Sequence, residues 1–224
     1  MDPTIRWRVL PLGEAALLVE AEPADDLTNR AVLALARSLD AAALAGAQPS
    51  VPAVSSLLIP FDPLRLPVAA LEATIRRLLA ELEPAPDTPE RVVEIAVRYG
   101  GDDGPDLLEV AAQVGMTPQA VVALHSAPIY RVLLIGFAPG FPYLGPLPAP
   151  LHLPRRATPR TKVPAGSVAI AADMSGIYPA VLPGGWHLIG RTRQPLFDPD
   201  ADPPSLLEPG VGVRFVPLAD GIQP

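Results

Sequence analysis

Four segments in the second half of the chain decide how it folds: GFAPGFPYLG (residues 136–145), PRRATPRTKVPAGS (154–167), SGIYP (175–179) and PGGWHLIGRT (183–192). Eight Gly and ten Pro fall between Gly136 and Gly190. That density of Gly and Pro excludes long helices and prescribes a series of turns joining short strands. VLLIGF (132–137), SVAIAA (167–172), WHLIG (186–190) and VRFVPL (213–218) are the strand candidates, each flanked by Gly or Pro, as in a small barrel or sandwich.

Upstream, the pattern changes. Arg6 to Leu10 and Ala16 to Ala21 read as two strands around a Pro-Leu-Gly-Glu turn. A helix follows, capped near Asp25, Asp26 and Thr28, with Leu27, Ala31, Leu35 and Leu39 on one face and Gly46 beyond its end. Val51 to Ile59 returns to strand character with Pro52 near its start, so it belongs at an edge or begins irregularly. Pro67 to Glu83 is a second helix with Leu71, Ile75, Leu78, Leu79 and Leu82 as its buried stripe. Val92 to Val97 is a strand, and Leu107 to Val114 and Pro118 to His125 are short helices.

Between these halves, Pro84 to Pro89 reads PAPDTP, a stiff extended connector. It divides the chain into an α/β N-terminal domain over residues 1–86 and a strand-rich domain over 87–224 that carries the motifs. The fold class expected is α+β.

Composition bounds the function. The chain has 224 residues, 31 Pro, no Cys and a net charge of −7. Without Cys there are no disulfides, thiolate nucleophiles or Cys-based metal sites, and no spaced metal-ligand set is present. The MDPTIRWRVL start lacks the pattern of a signal peptide, so a cytoplasmic location is expected. Residues 132–154 are uncharged and long enough to span a bilayer, but their six prolines exclude a lipid-exposed helix. Net acidity argues against nucleic acid. The cations nevertheless concentrate: Arg131 to Arg193 holds seven basic residues and one acid, Asp173. A local excess of that size suits a small anion.

Candidate site residues follow from the same region. Arg155, Arg160 and Lys162, the only lysine, form an anion cradle beside Arg156, because guanidinium forks and an ammonium both recognise carboxylate or phosphate. Gly184 and Gly185 before Trp186 suggest a positive-φ turn that presents backbone N–H groups beside an aromatic wall. His187 would point opposite to Trp186, so that one of the two faces solvent or a cavity. Arg191 can orient an anion. Lys162, His125 and Tyr178 are candidates for catalytic groups, although helix C-termini also favour a structural imidazole at His125 and Tyr178 can instead seal a barrel mouth. Phe137, Pro139, Phe141 and Tyr143 lie in the uncharged run and form a candidate partner-docking surface. There is no GxxxxGK[ST] loop, GxSxG elbow or HExxH pair. A protein supplying half of a shared active site fits that absence.

The order YGGDDGPDLLEVA (99–111), LHSAPIYRVLLIGFAPGFPYLG (124–145), PRRATPRTKVPAGSVAIA (154–171), SGIYP and PGGWHLIGRT resembles the family variously called the B-type subunit of 5-oxoprolinase, allophanate hydrolase subunit 1 and KipI-like. The resemblance implies an α/β N-terminal domain followed by a cyclophilin-like β-barrel. It implies one component of an ATP-dependent 5-oxoprolinase that opens 5-oxoproline to glutamate, inactive alone. The partners it implies are the A-type subunit of that enzyme and its C-type subunit, which is of the biotin-dependent carboxyltransferase kind. Alternatives within the resemblance are a carboxyltransferase component of a urea carboxylase and allophanate system, and a histidine kinase inhibitor. Two departures stand out: Pro146, where a second Gly is usual, and Leu182, where Ser or Thr commonly precedes PGGW.

Overall fold

A computed structural model of the protein describes residues 5–219. The chain forms two compact units that divide between Asp87 and Thr88.

The first unit is an antiparallel sheet with two helices. Strands β1 (Arg6–Pro11), β2 (Ala16–Glu22), β3 (Val51–Pro52) and β4 (Ser56–Pro60) lie in the order β1-β2-β4-β3. Where one strand was expected over 51–59, there is a turn: the Ala53 amide donates to the Ser56 carbonyl, and Val51–Pro52 folds back on β4 as an edge. Pro52 has no N–H, so an edge is where the sheet tolerates it. Helix α1 (Asp26–Ala41) starts where the Asp25 carboxylate accepts from the Thr28 amide at 2.8 Å. Its Val32, Leu35 and Leu39 meet Leu17, Val19, Leu57 and Ile59 of the sheet and Leu71 and Ile75 of α2 (Val68–Ala80). The connector begins inside this unit, because Ala85 is buried and exchanges hydrogen bonds with Arg30 of α1.

The second unit is a closed seven-stranded barrel. Its staves are β5 (Val92–Tyr99), β6 (Ile129–Ile135), β7 (Pro142–Gly145), β9 (Ser167–Ala171), β10 (Met174–Ile177), β12 (His187–Arg191) and β13 (Gly212–Pro217). Around the barrel they run β10-β7-β6-β13-β5-β12-β9, with β9 closing on β10, and all pairs but β13–β5 are antiparallel. Closure leaves no open edge. Helices α3 (Leu107–Gln113) and α4 (Pro118–Ser126) send Leu107, Val110, Val121 and Val122 into the interior, where they join Ile95, Val97, Val168, Ile170, Val213 and Phe215.

Strand β9 explains why SVAIA reads as an unbroken apolar run. Val168 and Ile170 face the interior, whereas Ala169 and Ala171 face outward into a second cluster of Phe141, Val163, Tyr178, Trp186 and Leu188. A strand buried on both faces has no polar alternation. A two-stranded ribbon, β8 (Arg160–Val163) with β11 (Leu182–Gly184), contributes Val163 and Leu182 to that second cluster.

The uncharged run over 132–154 is therefore mostly barrel. Val132, Phe141 and Leu144 are buried, which corrects the expectation of a continuous docking surface, while Phe137 and Pro139 at the β6–β7 turn are exposed. Among the described residues no single helix is long and apolar enough to cross a membrane.

Candidate functional site

The basic segment 154–162 is organised by a residue 50 positions away. Asp106, immediately before α3, is only 3% exposed. Its carboxylate accepts two hydrogen bonds from Arg160, at 2.9 and 2.7 Å, one from Arg156 at 3.0 Å, and one from the Leu188 amide at 2.7 Å. Arg156 also reaches Glu109 at 3.1 Å. Burial alone would raise the Asp106 pKa. The Arg160 guanidinium, the Leu188 N–H and the Arg156 charge outweigh it and hold the group below the usual carboxylate range.

Arg160 and Arg156 are thus structural cations. They fasten the loop to β12 and α3, and the expected four-cation cradle reduces to Arg155 and Lys162, both exposed. Local charge counting misses this because the neutralising acid lies in a different motif.

Beside the loop sits an aromatic cluster. Tyr178 packs edge-on against Phe141, with ring centroids 5.1 Å apart, and Trp186 packs against Phe141 at 5.9 Å and Tyr143 at 5.7 Å. Burial pushes the Tyr178 phenol above its ordinary pKa and Tyr143 adds to this, while the Trp186 amide and the charges of Arg155 and Arg160 pull the other way. Tyr178 therefore stays protonated at neutral pH. Gly184 lies on its hydroxyl, and a Cβ there would collide with the oxygen. That close approach is what the first Gly of PGGW provides. Neither Gly184 nor Gly185 has a positive φ, which corrects the turn expected from the motif. The Gly185 carbonyl instead accepts from the Arg156 amide at 2.8 Å.

Phe137 has φ +67° and is 59% exposed, and its ring stands 5.4 Å from Phe141 and 6.4 Å from Tyr178. Residues read as a docking surface and residues read as an anion site therefore meet in one patch: Phe137, Phe141, Tyr143, Tyr178, Trp186 and the charges of Arg155 and Arg160. Phe141 contributes from beneath.

Other candidates lie elsewhere. Trp186 and His187 are 6% and 4% exposed, so neither faces solvent, because loop 154–160 covers the face His187 would have presented. His187 Nε2 donates to the Pro154 carbonyl at 2.9 Å, and with Arg155 it lines a pocket of about 400 Å³. Arg191 lines a neighbouring cleft that Tyr178 also borders. His125 is fully buried inside the barrel. Its Nδ1 meets the Tyr99 hydroxyl at 2.8 Å and its Nε2 meets Ser175 Oγ at 2.9 Å, and burial lowers its pKa to about 3. A neutral, fully bonded imidazole in a core is structural, so His125 leaves the catalytic candidates. Lys162 is exposed on β8 and unpaired among the described residues. No group of three or more His, Cys, Asp or Glu is placed to hold a metal among the described residues.

The family model for the carboxyltransferase domain, subdomain C and D, matches residues 7–207. The chain is 45% identical over 219 residues to a protein of Escherichia coli O157:H7 named as the B-type subunit of 5-oxoprolinase, covering 97% of this chain and 99% of that one. Among solved structures, TTHA0988 superposes with a TM-score of 0.80 at 41% identity over 94% of this chain, which spans only 41% of that longer protein. The urea carboxylase of Kluyveromyces lactis superposes at 0.71 with 20% identity, over 96% of this chain and 22% of the other, a likeness of fold alone. Barrel, motif order and full-length identity agree: this chain belongs to the family of B-type 5-oxoprolinase subunits, within the carboxyltransferase-domain proteins.

Proposed function

We propose that the chain serves as the B-type subunit of a heteromeric ATP-dependent 5-oxoprolinase, which adds water across the lactam C–N bond of 5-oxoproline to give glutamate. The observation that supports this most is the 45% identity to a protein of that name over nearly the whole of both chains. In this reading the chain is cytoplasmic, inactive alone, and pairs with an A-type subunit and a C-type subunit of the carboxyltransferase kind, and ATP is a co-substrate of the assembled complex. Residues 1–86 and 87–224 act as separate domains, and the second carries the half-site.

The half-site is the patch around Tyr178. Arg155 and Lys162 supply free positive charge for the substrate carboxylate, Arg160 is committed to Asp106 and holds the loop in place, and Gly184, Gly185, Trp186 and His187 form the floor and side wall. Phe137, Pro139 and Tyr143 supply the rim that a partner protein covers. Aromatic side chains are enriched at protein–protein interfaces relative to the rest of the surface. Tyr178, buried beneath Gly184, positions this floor.

The test is reconstitution. Glutamate release from 5-oxoproline with ATP is measured with all three proteins and with this chain left out, and undiminished turnover in its absence overturns the proposal. Urea in place of 5-oxoproline is the control, and turnover of urea instead would favour the carboxyltransferase reading.

A further inference from the structure

Adjoining the Tyr178 patch, with Tyr178 itself in its lining, the barrel carries an open cleft of about 860 Å³. Three arginines line it. Arg98 of β5 and Arg191 of β12 are direct cross-strand partners, and Arg193 follows two residues later. Like charges placed opposite one another on neighbouring strands repel and destabilise a sheet.

Among the described residues that repulsion is relieved in part, by Asp102 and Asp103 in the same lining. Arg98 meets Asp103 only at 3.7 Å, and its Nε is buried with no hydrogen-bond partner. Arg191 donates its Nε to the Ala165 carbonyl at 2.8 Å, a neutral acceptor. Arg193 is exposed and unpaired among the described residues. Thr192, between the two arginines, accepts from the Gln194 amide at 3.2 Å and keeps a hydroxyl proton to donate. The remaining lining includes apolar Ala96, Pro179 and Leu196.

We infer that this cleft binds a small organic anion bearing two acidic groups, a dicarboxylate or a diphosphate ester, across Arg98, Arg191 and Arg193. Each arginine offers a planar fork that matches a carboxylate or phosphate. Two acidic groups match the two opposed guanidiniums, and the apolar wall takes the carbon skeleton. Asp102 and Asp103 also line the cleft, so an anion must be held by direct guanidinium contacts and not by net charge, and the chain's net charge of −7 disfavours a nucleic acid. Binding here is a property of the isolated chain and holds whichever complex it joins.

The test is calorimetric titration of the full chain with glutarate and, separately, with pyrophosphate. At least one should bind at millimolar concentration and raise Tm. Binding of glutarate only would identify a carboxylate ligand, and of pyrophosphate only a phosphate ligand. Arg98→Gln and Arg191→Gln should each weaken binding about tenfold or more, by loss of a charge-assisted contact. Arg193→Gln, at an exposed side chain whose loss leaves the fold intact, should also weaken it, whereas Lys162→Ala should not. Binding of neither probe, or binding that Arg193→Gln and Arg98→Gln leave unchanged, overturns the inference.

Discussion

Asp106 and His125 are both buried polar side chains of the same barrel unit, and they solve desolvation in opposite ways. Asp106 stays charged, because two guanidiniums and an amide surround it. His125 gives up its charge. Ser175 Oγ donates to the Ala169 carbonyl, so its oxygen accepts from His125 Nε2–H, and the Tyr99 hydroxyl donates to Nδ1. Tyr130 completes the group by donating to the His125 carbonyl at 2.7 Å. The charged solution fixes an outer loop whose arginines border the proposed half-site; the neutral one only fastens the interior. Buried charge is found where geometry is wanted, and a neutral network where cohesion suffices.

Breaking the charged cluster should have the largest effect. Asp106→Ala leaves Arg160 and Arg156 without their counter-charge and the Leu188 amide without an acceptor, and removing one partner of a buried pair costs about 3–5 kcal/mol. Denaturant unfolding should show that loss, and reconstituted turnover should fall further than unfolding explains. A turnover loss no larger than the stability loss would reduce Asp106 to a structural role.

The neutral cluster should break more gently and with a distinct pH signature. Unfolded, His125 takes up a proton near its ordinary pKa of about 6.5; folded, it refuses one until about 3. Its contribution is therefore complete above about pH 6.5 and declines as pH falls toward 3, by up to about 1.4 kcal/mol per unit. Asp106, whose pKa is lowered, loses its contribution in a lower window, below the unfolded carboxylate pKa of about 3.9. His125→Phe leaves the Tyr99 hydroxyl without its acceptor at about 1–3 kcal/mol, while Ser175 keeps the Ala169 carbonyl, and it should abolish the slope between pH 6.5 and 4. Unfolding curves across that range read both.

The same contrast explains what was legible in the residues. Strands β5, β9, β12 and β13 could be read because apolar side chains dominate them. Strands β7, β8, β10 and β11 could not, being short and Gly- or Pro-containing or charged, and stabilised by the barrel rather than by their own pattern. The Gly- and Pro-rich segments did mark where the patch assembles. Which cations are free did not show, because Asp106 is 50 and 54 residues from the arginines it neutralises. Arg98 escaped notice too, since its pairing with Arg191 exists only in the register of β5 on β12.

A smaller effect is expected where the patch is packed rather than charged. Gly184→Ala drives a methyl group into the Tyr178 hydroxyl, and overpacking of this kind costs about 1–3 kcal/mol. Tyr178→Phe removes the oxygen, so the double variant should recover part of that loss, visible as a non-additive melting temperature. Simple additivity would mean the ribbon moves aside instead.

The smallest effect on stability should come from Phe137, and there it separates folding from assembly. The side chain is mostly exposed and touches Phe141 and Tyr178 only at ring-to-ring distance, so Phe137→Ala should change stability by less than about 0.5 kcal/mol. An aromatic held at φ +67° on a turn is nevertheless an arrangement the chain maintains at a conformational cost. Co-purification with candidate A-type and C-type partners reads whether that cost serves assembly. Weaker association with unchanged melting would assign the ring to the partner interface; unchanged association would leave it a lid over Tyr178.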